Sequence, residues 1–97
     1  MSIYDRIDAA LEKARWRQLE LRGIYLDEED YFAFAKAETI RWRKASGSKA
    51  RVYPMSYENV LIIGGKALVS PAKHSAVYAK SGEAIYIPKR LNVKVAA

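Results

Sequence analysis

The chain has 97 residues, 51% of them apolar, no cysteine and a formal net charge of +6. That composition excludes a disordered segment, a disulfide scaffold, a thiolate metal site and a cysteine nucleophile. No apolar run approaches the roughly 18 residues that cross a bilayer, so no membrane contact is expected.

The length predicts a single domain over residues 1–97, with one core and little room for a deep cleft. The opening stretch, Met1 to Asp8, is charged and lacks the apolar core of a signal peptide.

Ser2 can cap a first helix, with Asp5 at the capping-box position. The helix is expected from Ile3 to about Arg17. At 100° per residue, Ile3, Ile7, Ala10, Leu11 and Ala14 share a face, with Tyr4 at its edge. Arg6, Lys13 and Arg17 line one flank of that face; Asp5, Asp8 and Glu12 line the other. Such flanks suit a surface helix, or a docking helix that orients a partner or a second copy. Trp16 projects away from the apolar stripe. It either folds back on the strand at Leu19 or stands exposed as an interface anchor.

Leu19 to Leu26 reads as a strand containing Gly23, although Gly23 could instead end a longer first helix as its C′ residue. Asp27 is a good N-cap, Asp30 stands three positions later, and Glu28 and Glu29 favour the first turn of a helix. This second helix is expected from Glu28 to about Lys44. Tyr31, Phe34, Ala35 and Trp42 share one side; Ala33, Ala37 and Ile40 share another. Apolar residues spread so widely imply contact with more than one layer, or with another chain. Trp16, Trp42, Phe34 and Tyr31 are therefore the candidate interface residues.

Lys44 to Val52 is loop-like, broken at Ser46-Gly47-Ser48. The charge is uneven along the chain. Residues 1–40 hold six Lys/Arg against nine Asp/Glu, and residues 41–97 hold eleven against two. Arg41, Arg43, Lys44, Lys49 and Arg51 form the densest basic patch. They are the candidates for sequence-nonspecific nucleic-acid contact, since phosphate binding needs charge and reach; a solvated loop is the alternative.

From Tyr53 onward the pattern is β. Pro54 and Ser56-Tyr57-Glu58-Asn59 mark a turn. Val60 to Ile63 is a continuous apolar run, expected to be the central strand and buried on both faces. Ala67 to Val69 is a further short strand. Ala76–Lys80 and Glu83–Ile87 flank Ser81-Gly82, the pattern of a hairpin with a two-residue turn. Leu91, Val93 and Val95 suit an edge strand or an arm that adds to a neighbour's sheet. The expected fold is α+β: two helices packed on one mixed or antiparallel sheet of four to six strands.

No catalytic or cofactor constellation emerges, so an enzyme is not expected and no cofactor or metal is assigned. His74 is the only histidine. No nucleophile elbow accompanies Ser70 or Ser75. Ile63-Gly64-Gly65-Lys66 fails as a phosphate loop, because Val60 replaces the first glycine and Ala67 the hydroxyl residue. Tyr53, Tyr57, Tyr78 and Tyr86 lie among cations, as in a base-stacking sheet, but tyrosines are also ordinary strand residues.

The helix, apolar strand, capped corner and aromatic-led helix from Ile7 to Ala37, centred on Gly23-Ile24-Tyr25-Leu26-Asp27-Glu28-Glu29-Asp30-Tyr31, resemble a local pattern of tailed-phage structural proteins, capsid domains among them. Tyr57 to Ile63 resembles the turn and apolar strand that follow. The chain is shorter than a whole capsid protein. The resemblance implies a small virion or assembly accessory protein, located in the virion or cytoplasm, that meets copies of itself or other structural proteins. It brings no catalytic residues with it. The leading expectation is a non-catalytic assembly or interaction module, and the rival is a nucleic-acid-binding protein.

Overall fold

A computed structural model describes residues 2–47, 49, 51, 54–64 and 74–90. Ser2 caps helix α1 (Ile3–Trp16), its hydroxyl oxygen accepting from the Asp5 amide at 3.3 Å. The helix stops in a Schellman arrangement. The Leu19 amide donates to the Ala14 carbonyl and the Gln18 amide to that of Arg15, with Gln18 at φ 53° in the left-handed region. The C′ position therefore belongs to Gln18. Gly23 lies inside strand β1 (Leu21–Leu26), beside an irregularity in its pairing.

Asp27 caps helix α2 (Glu28–Ser46) by accepting from the Asp30 amide at 2.8 Å, and Gly47 closes it at φ 71°. Both caps satisfy backbone groups that a helix end leaves unpaired.

Strands β2 (Ser56–Tyr57), β3 (Val60–Gly64), β4 (Ala76–Ala79) and β5 (Ala84–Tyr86) complete the sheet. Its order is β2-β3-β1-β4-β5. β1 and β3 run parallel, with Ile24 opposite Ile62; the other pairs are antiparallel. A parallel pair needs a long crossover, and α2 lies within it. The expected α+β architecture is thus present, with a mixed five-stranded sheet.

Several local expectations need correction. The centre of the sheet is β1. Val60–Ile63 is interior but one place over, and Leu61 is half exposed, so this strand is not covered on both faces. Ser56 and Tyr57 are strand residues. Only Glu58 and Asn59, both at positive φ, make the turn, as a primed hairpin turn requires. The β4–β5 hairpin has a three-residue loop, not a two-residue one. The Ala79 amide donates to the Glu83 carbonyl, and Gly82 sits at φ 94° after a turn closed by its own amide on the Ala79 carbonyl. The readings at Ala67–Val69, Leu91–Val95 and Tyr53 fall outside the described residues.

The helices cover one sheet face. Ile3, Ile7, Ala10, Leu11 and Ala14 of α1 and Phe34 of α2 meet Ile24, Leu26, Ile62, Val77, Ile85 and Ile87 in one core. Phe34 is fully buried there, and Tyr31 packs partly buried against it. Phe34 is therefore not available as the interface residue that the sequence suggested, whereas Tyr31 keeps part of its surface in a groove along α2. The rings of Tyr4, Phe34 and Tyr57 lie 5.5–5.8 Å apart and join α1, α2 and β2. Tyr57 also donates to Asp8 at 2.8 Å, and Tyr4 donates to Glu38 at 2.6 Å. Burial, then the bond to Glu38, pushes Tyr4 up to about 12.

Gly64, where β3 ends beside α2, has no room for a side chain. A Cβ there would stand 3.0 Å from the Leu26 carbonyl oxygen and 3.0 Å from the Tyr31 ring. We expect Gly64→Ala to destabilise the fold by about 1–3 kcal/mol, since backbone on one side cannot yield. Urea unfolding checks this, and an unchanged midpoint would contradict the packing.

Candidate functional site

One buried polar cluster sets where α2 sits. Asp30 is 1% exposed. Its Oδ1 accepts from Arg6 of α1 at 2.8 Å. Its Oδ2 accepts from the Ser75 hydroxyl at 2.5 Å and from Lys89 Nζ at 3.0 Å. Ser75 Oγ in turn accepts from the Asp27 amide, and Arg6 Nε donates to the Pro88 carbonyl. Lys89 also pairs with Asp27 at 2.6 Å. The cluster therefore ties the start of α2 to α1, to the entry of β4 and to the chain after β5. Among the described residues no buried side-chain polar atom lacks a partner.

The cluster is a structural tie and not a nucleophile with its base. The Ser75 hydroxyl is buried, donates to Asp30 and accepts from Asp27. His74 is exposed and meets the ring of Tyr86 edge to face at 6.1 Å. Among the described residues no three His, Cys, Asp or Glu side chains gather as a metal site. No described helix is long and apolar enough to cross a membrane.

With its inner side anchored, α2 turns a different set of residues outward. Phe32 is 55% exposed, Ile40 47% and Trp42 50%. Beside Phe32 and Ile40 runs a groove of about 540 Å³ lined by Tyr31, Phe32, Ala35, Lys36, Thr39, Ile40, Arg43 and Arg51, while Trp42 stands about 160° round the helix from Ile40 and outside that lining. Its described lining is apolar or small along the helix and carries three cations. Lys36 and Arg51 have no ion-pair partner among the described residues, and Arg43 donates to the Lys49 carbonyl at 3.3 Å.

The basic patch read from the sequence divides. Arg43 and Arg51 come together in the groove. Lys44 and Lys49 are exposed nearby in the chain. Arg41 turns the other way, over the Tyr4 ring at 5.9 Å and 3.9 Å from Glu38. Trp16 is 82% exposed at the end of α1, beside a more open depression shared with Glu12, Lys13, Arg17, Ala84 and Ile85. Of the tyrosines read as a stacking surface, Tyr57 packs into the core. Tyr78 and Tyr86 lie on the opposite sheet face, where Tyr25 meets Tyr78 at 4.8 Å.

Phe32 and Lys36 were not singled out by the sequence reading. Their spacing with Ile40 and Arg43 is that of one helix face, and this was the available signal. Comparison with known protein families, curated sequences and solved structures gave no match.

The Asp30 cluster has a definite pH signature. Burial alone would push the Asp30 carboxyl up. The hydrogen bonds from Ser75, Lys89 and Arg6, with the Arg6 charge, outweigh it and hold the carboxyl below its ordinary value. A carboxyl that titrates lower when folded contributes fully above its unfolded pKa of about 3.9, and that contribution is lost as pH falls through the folded value. Lys89 behaves oppositely. Its desolvation is outweighed by bonds to Asp27 and Asp30, so its pKa rises on folding. Its contribution is complete below about pH 10.4 and is lost as pH rises through the folded value. Asp30→Asn leaves Arg6 without its counter-charge and is expected to cost about 3–5 kcal/mol at neutral pH. The variant should also lose part of the acid dependence below about pH 4. Denaturant titrations across pH measure both, and a neutral-pH stability equal to wild type would contradict the role.

Proposed function

We propose that the protein is a non-catalytic assembly module that docks through the outer face of α2. The observation that carries this reading is the pairing of Phe32 and Ile40, each about half exposed and on one stripe beside the groove, on a helix whose other side is anchored in the core. Large apolar side chains gathered beside a groove mark an interaction surface more often than scattered single ones do. The buried polar side chains among the described residues hold elements together, which gives a docking face a fixed support. The further assignment to a virion or phage-derived assembly rests on the sequence resemblance alone.

A second reading has its own observation. Arg43 and Arg51 line the same groove as Lys36, which would suit a nucleic-acid phosphate. The two readings respond differently to substitution. Changing Lys44, Lys49 and Arg51 together to Gln should at most weaken assembly modestly under the first, since of the three only Arg51 lines the groove. Under the second it should weaken DNA or RNA binding at all sequences alike, with a salt slope lower by up to about three.

The first reading is tested in extracts of cells that make the protein. The native species is expected well above the 11.0 kDa of one chain. Ile40→Glu should return it to the monomer mass while leaving stability within about 1 kcal/mol, because Ile40 contributes little to the core. A wild-type protein found in native extracts only at the monomer mass would contradict the reading.

A further inference from the structure

The outer face of α2 has an internal symmetry that identifies what it fits. Glu29, Phe32, Lys36, Ile40 and Arg43 are all exposed. At 100° per residue they fall within about 80° of one another, so they form one stripe along the helix. Read outward from Lys36, the stripe is complementary to its own reverse. Four residues away on either side stand Phe32 and Ile40. Seven residues away stand Glu29 and Arg43, of opposite charge. Ala33, on the same face, leaves room for close approach.

We infer that α2 pairs with α2 of a second copy, antiparallel and about a two-fold axis that passes near Lys36. This rests on the reading of that face as the docking surface and names its occupant. A two-fold interface is built from one patch that is complementary to itself, so each residue must find its partner at the reflected position. Here Phe32 of one copy lies against Ile40 of the other, and Glu29 lies against Arg43, each contact occurring twice. Glu29 has no ion-pair partner among the described residues, and among them the Arg43 guanidinium bonds the Lys49 carbonyl and no carboxylate, so both have donors or acceptors to give. The ridge of Phe32, Lys36, Ile40 and Arg43 borders the groove of about 540 Å³. One helix thus offers both a ridge and the groove that a like ridge enters. Antiparallel packing also sets the positive end of each helix dipole beside the negative end of the other. The one opposing contact is Lys36 against its own copy, a like-charge pair at the axis.

The test uses the full chain in sedimentation velocity over about a hundredfold range of concentration. Wild type is expected to pass from monomer to dimer. Glu29→Arg and Arg43→Glu should each lower the association constant about tenfold or more, because each homodimer then carries two repulsive contacts. An equimolar mixture of the two variants should dimerise again. In the mixed dimer the introduced arginine of one copy meets the introduced glutamate of the other, and the unchanged Arg43 of the first meets the unchanged Glu29 of the second. Lys36→Gln should tighten association by removing the like-charge contact. Ile40→Glu, which leaves the wild-type charge pair in place, should be monomeric, and circular dichroism checks that every variant is folded.

A wild-type chain that stays monomeric overturns the pairing and leaves the face to a partner of different sequence, a case the native-extract mass decides separately. Self-association that neither charge variant weakens, or that the mixture fails to restore, overturns the antiparallel contact while keeping assembly.

Discussion

The carboxylate of Asp30 is the interaction on which the arrangement of this protein depends. It is buried, charged and shared by Arg6, Ser75 and Lys89. Removing such a charge from water is costly, and only partners fixed at short range offset the cost. Those partners come from α1, from the entry to β4 and from the chain after β5. Satisfying one carboxylate therefore sets the position of three other parts of the chain relative to the start of α2. The aromatic cluster of Tyr4, Phe34 and Tyr57 does the same farther along the helix. Between them these two contacts decide which side of α2 is core and which side is surface.

That division gives the outer face its meaning. A helix held only by a broad apolar surface could rotate to bury Phe32 and Ile40. Asp30 and Phe34 prevent this, because turning either one outward would break the polar cluster or expose a fully buried ring. Phe32 and Ile40 are consequently left in solvent by construction. Their exposure is offset by the anchoring on the other side, and a second helix can cover them without rearrangement of the fold. The basic residues of the groove add orientation, since charge at a docking surface selects partners and register more than it adds affinity.

Much of the framework was legible in the chain. Ser2 and Asp27 announced both helix starts, the Ile3–Ala14 stripe announced the face of α1, and Gly82 marked the hairpin. Local rules reach these features because the interacting groups lie within a few residues of each other. The Asp30 cluster was not legible, because Arg6, Ser75 and Lys89 lie 24, 45 and 59 positions away. In the sequence Asp30 looked like part of a cap, and its amide does serve that role while its carboxylate does something else. Phe34 was misplaced for a related reason. The apolar residues of α2 nearly encircle it, so periodicity could not choose the inner side, and the choice came from contacts distant in sequence. Tyr57 was turned toward the core by the two-residue turn at Glu58-Asn59, which sets the register of β2 on β3.

If the outer face of α2 meets the same face of a second copy, the two copies of Lys36 lie close to each other across the axis. A nitroxide label placed at Lys36, the residue nearest the proposed axis, probes that most directly through the dipolar coupling between labels on different molecules. Helices packed at about 8–10 Å predict an intermolecular distance below about 20 Å at this position, and a longer one for a label at Lys80 in the β4–β5 loop. A sample that self-associates yet shows no short distance at Lys36, or shows one equally at Lys80, would contradict the account.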